Sequence, residues 1–141
     1  MTNLENGIKA ENMIAKKLQF RNKELELEQN HTWGIDIILN QKHKKIKIEV
    51  KSSQLYIKDK IGRGGIRRGK FSIQLTDLER PIDYFAFVIV KSEKKVTTYW
   101  VRGDVIRKHF STRKLNKKLG LGIPTLLNNI PKVDFSEVIE L

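Results

Sequence analysis

Two short stretches decide how this chain reads: Gly34-Ile35-Asp36-Ile37-Ile38-Leu39-Asn40 and Lys45-Ile46-Lys47-Ile48-Glu49-Val50-Lys51. The first is rich in β-branched residues and the second alternates strictly, and only Gln41-Lys42-His43-Lys44 separates them. That is the pattern of a β-hairpin. With the turn centred on Lys42 and His43, Asn40 faces Lys45 and Asp36 faces Glu49. Directly opposed residues project from one face of a sheet, and Lys51 shares the face of Glu49 two residues earlier. Ile35, Ile37 and Leu39 point the other way, with Ile48 and Val50. One face is apolar. The other carries two carboxylates and a lysine.

Opposed carboxylates repel each other in a bare sheet, and a divalent cation between them reverses that sign. Mg²⁺ suits such an oxygen-rich pair, with Mn²⁺ as its substitute. A bound ion of this kind can make hydroxide from water. Lys51 would steady the attacking water or a scissile phosphate. The competing reading is a wet strand face on which Lys47, Glu49 and Lys51 form surface ion pairs.

Working outward, residues 4–20 read as a helix rich in Lys, Glu, Ala and Leu, with Asn3 as a candidate cap. Leu4, Ile8, Ala15 and Leu18 form an apolar stripe whose missing member is Glu11. Two readings of Glu11 stand side by side. In one, the helix packs on the carboxylate face and Glu11 joins the site. In the other, Glu11 lies at the stripe's edge, reaches water, and Ile14 takes its place in the core.

Residues 23–29 read as a strand. Residues 54–70 read as an exposed basic loop with four glycines. Residues 72–80 read as a short helix stopped by Pro81. Asp83–Val90 is a near-continuous apolar run, as in a buried central strand. Val96–Val101 reads as another strand and Gly103–Phe110 as a helix. The tail after Gly120 reads as irregular. This predicts one α/β (α+β) domain over residues 1–141, in the order α-β-β-β-α-β-β-α, with helices packed on a mixed sheet.

The charge points to a polyanion. The 141 residues hold 28 Lys and Arg against 16 Asp and Glu, a net +12. Residues 42–70 hold eleven basic residues and two acidic ones, and residues 107–118 hold six basic and none acidic. Such patches suit phosphates, because each neutralised phosphate releases condensed counterions. Lys58, Lys60, Arg63, Arg67, Arg68 and Lys70 are the candidate DNA contacts, with glycines that let the backbone come close. No cysteine is present, which excludes disulfides and thiolate metal sites. No apolar run is long enough for a membrane helix and the N-terminus has no signal-peptide pattern, so a cytoplasmic location is expected.

Glu11, Gly34-Ile35-Asp36 and Glu49-Val50-Lys51 together resemble the PD-(D/E)xK nuclease superfamily, over about residues 4–101. Ile35 stands where the name-giving proline would be. The chain looks most like small members: Holliday junction resolvases, homing endonucleases and restriction-type enzymes. The resemblance implies a restriction-endonuclease-like core and Mg²⁺-dependent hydrolysis of DNA, duplex or branched. It implies a homodimer or larger assembly and no small-molecule cofactor. It also implies Asp36, Glu49, Glu11 and the Val50 carbonyl as metal ligands, with Lys51 as the catalytic lysine. The alternatives are a non-catalytic nucleic-acid-binding module of the same fold and a ribosome-associated RNA-binding protein.

Other motifs carry less. Gly64-Gly65-Ile66-Arg67-Arg68-Gly69-Lys70 imitates a P-loop, but Phe71 replaces the required Ser or Thr. His31, His43 and His109 lack metal-ligand spacing. Trp33 and Trp100 read as core or sheet-edge residues. Asp83 reads as a turn residue at the head of the buried strand.

Overall fold

The computed structural model describes residues 3–21, 26–29, 36–41, 44–58, 66–92, 95–111 and 118–139. The chain opens with helix α1 (Asn3–Arg21), then strands β1 (Glu26–Gln29), β2 (Ile37–Gln41) and β3 (Lys44–Gln54). After β3 come β4 (Tyr56–Lys58), β5 (Ile66–Arg68), β6 (Lys70–Gln74) and the short helix α2 (Leu75–Glu79). Strands β7 (Tyr84–Ser92) and β8 (Lys95–Arg102) lead into α3 (Gly103–Phe110). Strand β9 (Lys118–Gly122) and helices α4 (Ile123–Asn129) and α5 (Phe135–Val138) end the described chain.

The central sheet runs β1-β2-β3-β7-β8. β3 and β7 pair in parallel and the other neighbours are antiparallel, so the sheet is mixed. The expected α+β class and hairpin register both hold. Asn40 lies opposite Lys45 and Ile37 opposite Ile48.

Both faces of the sheet are covered, and alternation along β3 and β7 sorts the side chains between two cores. Ile46, Ile48, Ala86 and Val88 join Ala10, Ile14, Ala15 and Leu18 of α1, with Ile37, Leu39 and Trp100. Phe85, Phe87 and Ile89 join Phe71 and Ile73 of β6, Ile106 and Phe110 of α3, Leu119 and Leu121 of β9, and Leu126 of α4. The stacked Phe85 and Phe87 rings, 5.7 Å apart, and Phe71, 4.8 Å from Phe87, form the centre of this second core.

Several expectations are corrected. Helix α1 packs on the apolar face of β3, not on the carboxylate face. Ile8 is 46 % exposed, while Glu11 is only 5 % exposed beside the buried Ala10, Ile14, Ala15 and Leu18. Glu11 therefore does not reach water, although Ile14 does fill the core. Residues 54–70 are not one loop. β3 continues to Gln54, β4 and β5 pair as a ribbon, and β6 pairs with β9. The tail after Gly120 includes the end of β9 and helices α4 and α5.

Two details seat the second layer. Gly69 donates to the Leu55 carbonyl and accepts from Ile123 N–H. A Cβ at Gly69 would lie 2.0 Å from the Gln54 carbonyl oxygen, so only glycine lets the ribbon join β6 here. Asp83, just before β7, accepts from the Lys47 N–H through its carboxylate at 2.8 Å, and its own N–H donates to the Lys47 carbonyl at 2.9 Å. Asp83 thus clasps the start of the parallel pair, which accounts for it structurally.

Candidate active site

β3 sets the site. Its parallel register places Glu49 beside Phe85 and Lys51 beside Phe87, on the face of the aromatic core. Asp36 lies one residue before β2 begins. Its carboxylate accepts the Val50 N–H at 2.8 Å. The side chain thus extends the β2–β3 ladder and draws the Asp36 carboxyl against β3.

Lys51 Nζ lies 3.6 Å from Glu49 Oε1 and 2.8 Å from Asp77 Oδ2. Asp77 is the residue that sequence reasoning missed. It sits in α2 and is 2 % exposed. Its Oδ2 also accepts the Gln74 N–H at 2.8 Å, and its Oδ1 lies 3.8 Å from Arg80. The spacing of Gln74 and Asp77, three apart at a helix start, is a capping signature visible in the sequence. Nothing local links it to Lys51, which is 26 residues away.

Burial governs the electrostatics. Glu49 is 6 % exposed. Its pKa is pushed up to about 9, first by burial and then by the neighbouring Asp36 charge, against the pull of Lys51. Asp36 is also raised by burial, with the Val50 N–H opposing the shift most strongly. The two carboxyls are within hydrogen-bonding reach of each other, an arrangement that needs a shared proton in the absence of a cation. Glu49 Oε2 is buried and receives no N–H or O–H donor among the described residues.

A divalent cation fits this chemistry: a buried acceptor lacking a donor beside a second carboxylate is the environment that such an ion relieves. Among the described residues, no three His, Cys, Asp or Glu side chains gather as a metal-holding group. A cation here would draw on two carboxylates and complete its shell with other oxygens.

Asp36, Glu49 and Lys51 thus come together as expected. Glu11 is carried by α1, the layer that packs on the isoleucine face of the sheet, while the charges of Lys51 and Asp77 act on both Asp36 and Glu49. Of the basic positions, Lys58 lies in β4, Arg67 and Arg68 in β5, and an exposed Lys70 in β6. Lys60, Arg63, His31, His43, Trp33, Gly34 and Ile35 lie outside the described residues. His109 packs edge-on against Phe110, 4.8 Å away, and Trp100 is a core residue on the α1 side.

No family model matches the chain, and no curated protein matches it. Among solved structures it is similar to a bacterial homing endonuclease, I-Ssp6803I, with a TM-score of 0.50 and 14 % identity. The match covers 98 % of this chain and 92 % of that one. The two chains share a mixed α+β fold. At that identity the likeness speaks for the architecture, a mixed sheet flanked by helices, so the chemistry must be argued from the residues.

Proposed function

We propose that this protein is a metal-dependent endonuclease of the PD-(D/E)xK type that hydrolyses DNA phosphodiester bonds. The observation that carries the reading is the half-buried Asp36 against the buried Glu49, with Lys51 beside them on one face of β3. Asp36, Glu49 and the Val50 carbonyl would hold Mg²⁺, or Mn²⁺ in its place. The bound ion would activate water and offset charge on the phosphate. Lys51 is held beside the pair as a point cation, placed to steady the scissile phosphate or the attacking water. The Phe85–Phe87 core behind it limits water on one side.

The basic stretch that runs through β4, β5 and β6 supplies phosphate affinity, with Lys58, Arg67, Arg68 and Lys70 on it and Lys60 and Arg63 between. The homing-endonuclease likeness supports DNA as the substrate, duplex or branched. An assembly of two copies would supply two such sites, one for each strand of a duplex.

The test is cleavage of labelled linear duplex, single strand, flap and four-way junction with Mg²⁺, Mn²⁺ or EDTA, by wild type and Lys51→Ala. Metal-dependent cutting should fall about 10²- to 10³-fold in Lys51→Ala. No cutting of any substrate by the wild type, with tight salt-sensitive binding, would leave a nucleic-acid-binding module instead.

A further inference from the structure

We propose that Asp77 is a positioning residue that keeps Lys51 in place when the Glu49 carboxylate is given over to a metal ion; this rests on the nuclease reading above. Lys51 is held from two sides, and unequally. Asp77 is at 2.8 Å and Glu49 at 3.6 Å. Asp77 is the more buried of the two carboxylates, at 2 % against 6 % exposed. It is fixed independently of Lys51 by the Gln74 N–H at 2.8 Å and by its place in α2.

An ammonium has three donors. With Glu49 committed to a cation, a lysine held by Glu49 alone would lose its anchor and be repelled by that cation. Asp77 supplies an anchor outside the metal shell. It leaves the remaining N–H groups free for a phosphate or a water. Partners of this kind, which orient a reacting group without touching substrate, typically matter about 10- to 100-fold.

The arrangement also ties the site to the basic ribbon. The chain passes from β4 and β5 through Gly69 and β6 directly into α2, so the carboxylate that fixes Lys51 is carried by the segment proposed to bind DNA.

The experiment combines Asp77→Asn, which keeps size and an acceptor oxygen but removes the charge, with two readouts. In steady-state cleavage, kcat should fall about 10- to 100-fold while KM and metal-free DNA binding stay within about threefold. In metal-free protein carrying ¹⁵N-lysine, Lys51 should give a slowly exchanging ammonium cross-peak, absent from Lys51→Ala and lost in Asp77→Asn. A purely structural Asp77 would lower the melting temperature and leave kcat per folded molecule and the cross-peak unchanged. That result would overturn the proposal. So would the absence of a slowly exchanging Lys51 signal in the wild type, a measurement that stands even if the variant does not fold. Wild type that cuts no substrate would instead sink the nuclease reading, and the catalytic part of this role with it.

Discussion

The two faces of β3 are built from one alternating sequence and do different work. Ile46 and Ile48 close a core against α1 whose fully buried side chains are aliphatic apart from Trp100. Glu49 and Lys51 emerge beside Phe85 and Phe87, where an aromatic core gives way to three carboxylates and a lysine. The first face stabilises the fold by removing apolar area from water. The second accepts a destabilising group, a buried glutamate beside a half-buried aspartate, which costs free energy unless a proton or a cation lies between them. The difference locates chemistry: a sheet face that forgoes stability in this way is where function is expected.

Substitutions on the two faces should therefore separate activity from stability. The largest effect belongs to Asp36→Ala. Metal-dependent cleavage should fall by about 10³-fold or more, while DNA binding is kept, as measured by single-turnover cleavage and by retardation of the same DNA. Next comes Ile48→Ala on the other face, expected to cost about 2–5 kcal/mol in denaturant unfolding. The fraction that remains folded should still cut at the wild-type rate; a loss of kcat like that of Asp36→Ala would break the division between faces.

The third effect is a pH dependence. The folded-state pKa of Glu49 lies near 9 against an ordinary 4.5. Between these values the unfolded chain has lost the proton and the folded chain keeps it. Stability contributed by the protonated pair is therefore complete below about pH 4.5 and declines as pH rises toward 9. Melting of the metal-free protein should show this decline, and Glu49→Gln should flatten it, gaining on the wild type as the pH rises. Equal slopes for the two proteins would remove the buried-pair account. The smallest effect is Ile8→Ser. Ile8 is 46 % exposed on α1, so its stability change should stay within about 0.5 kcal/mol.

The same comparison explains what the sequence could convey. The β2–β3 register was legible because a short polar turn and strict alternation leave one pairing that keeps Ile37, Leu39, Ile46 and Ile48 on one side. Helix α3 was legible to the residue, from Gly103 to Phe110. Alternation says which residues share a face, but not which layer lands on it. That is why α1 was expected over the carboxylates and lies over the isoleucines. It also explains Glu11, which is buried where a stripe drawn through Ile8 left room for it to reach water.

The ribbon and β6 were hidden for another reason. Glycines and cations read as loop, whereas β6 is held by β9, with Lys70 opposite Gly122. Asp77 was hidden likewise: its capping role is local, and its contact with Lys51 exists only after α2 docks. Pairings that close over long separations leave little trace in a local window.

The most direct test of the account is calorimetric titration of Mn²⁺ into wild type and Asp36→Asn at pH 7.5, in buffers of different ionisation enthalpy. The account predicts saturable binding to the wild type with release of about one proton, as the metal displaces the proton held between Asp36 and Glu49. It predicts that Asp36→Asn loses most of that affinity. Absence of saturable binding, or binding that is indifferent to Asp36 and releases no proton, would contradict it.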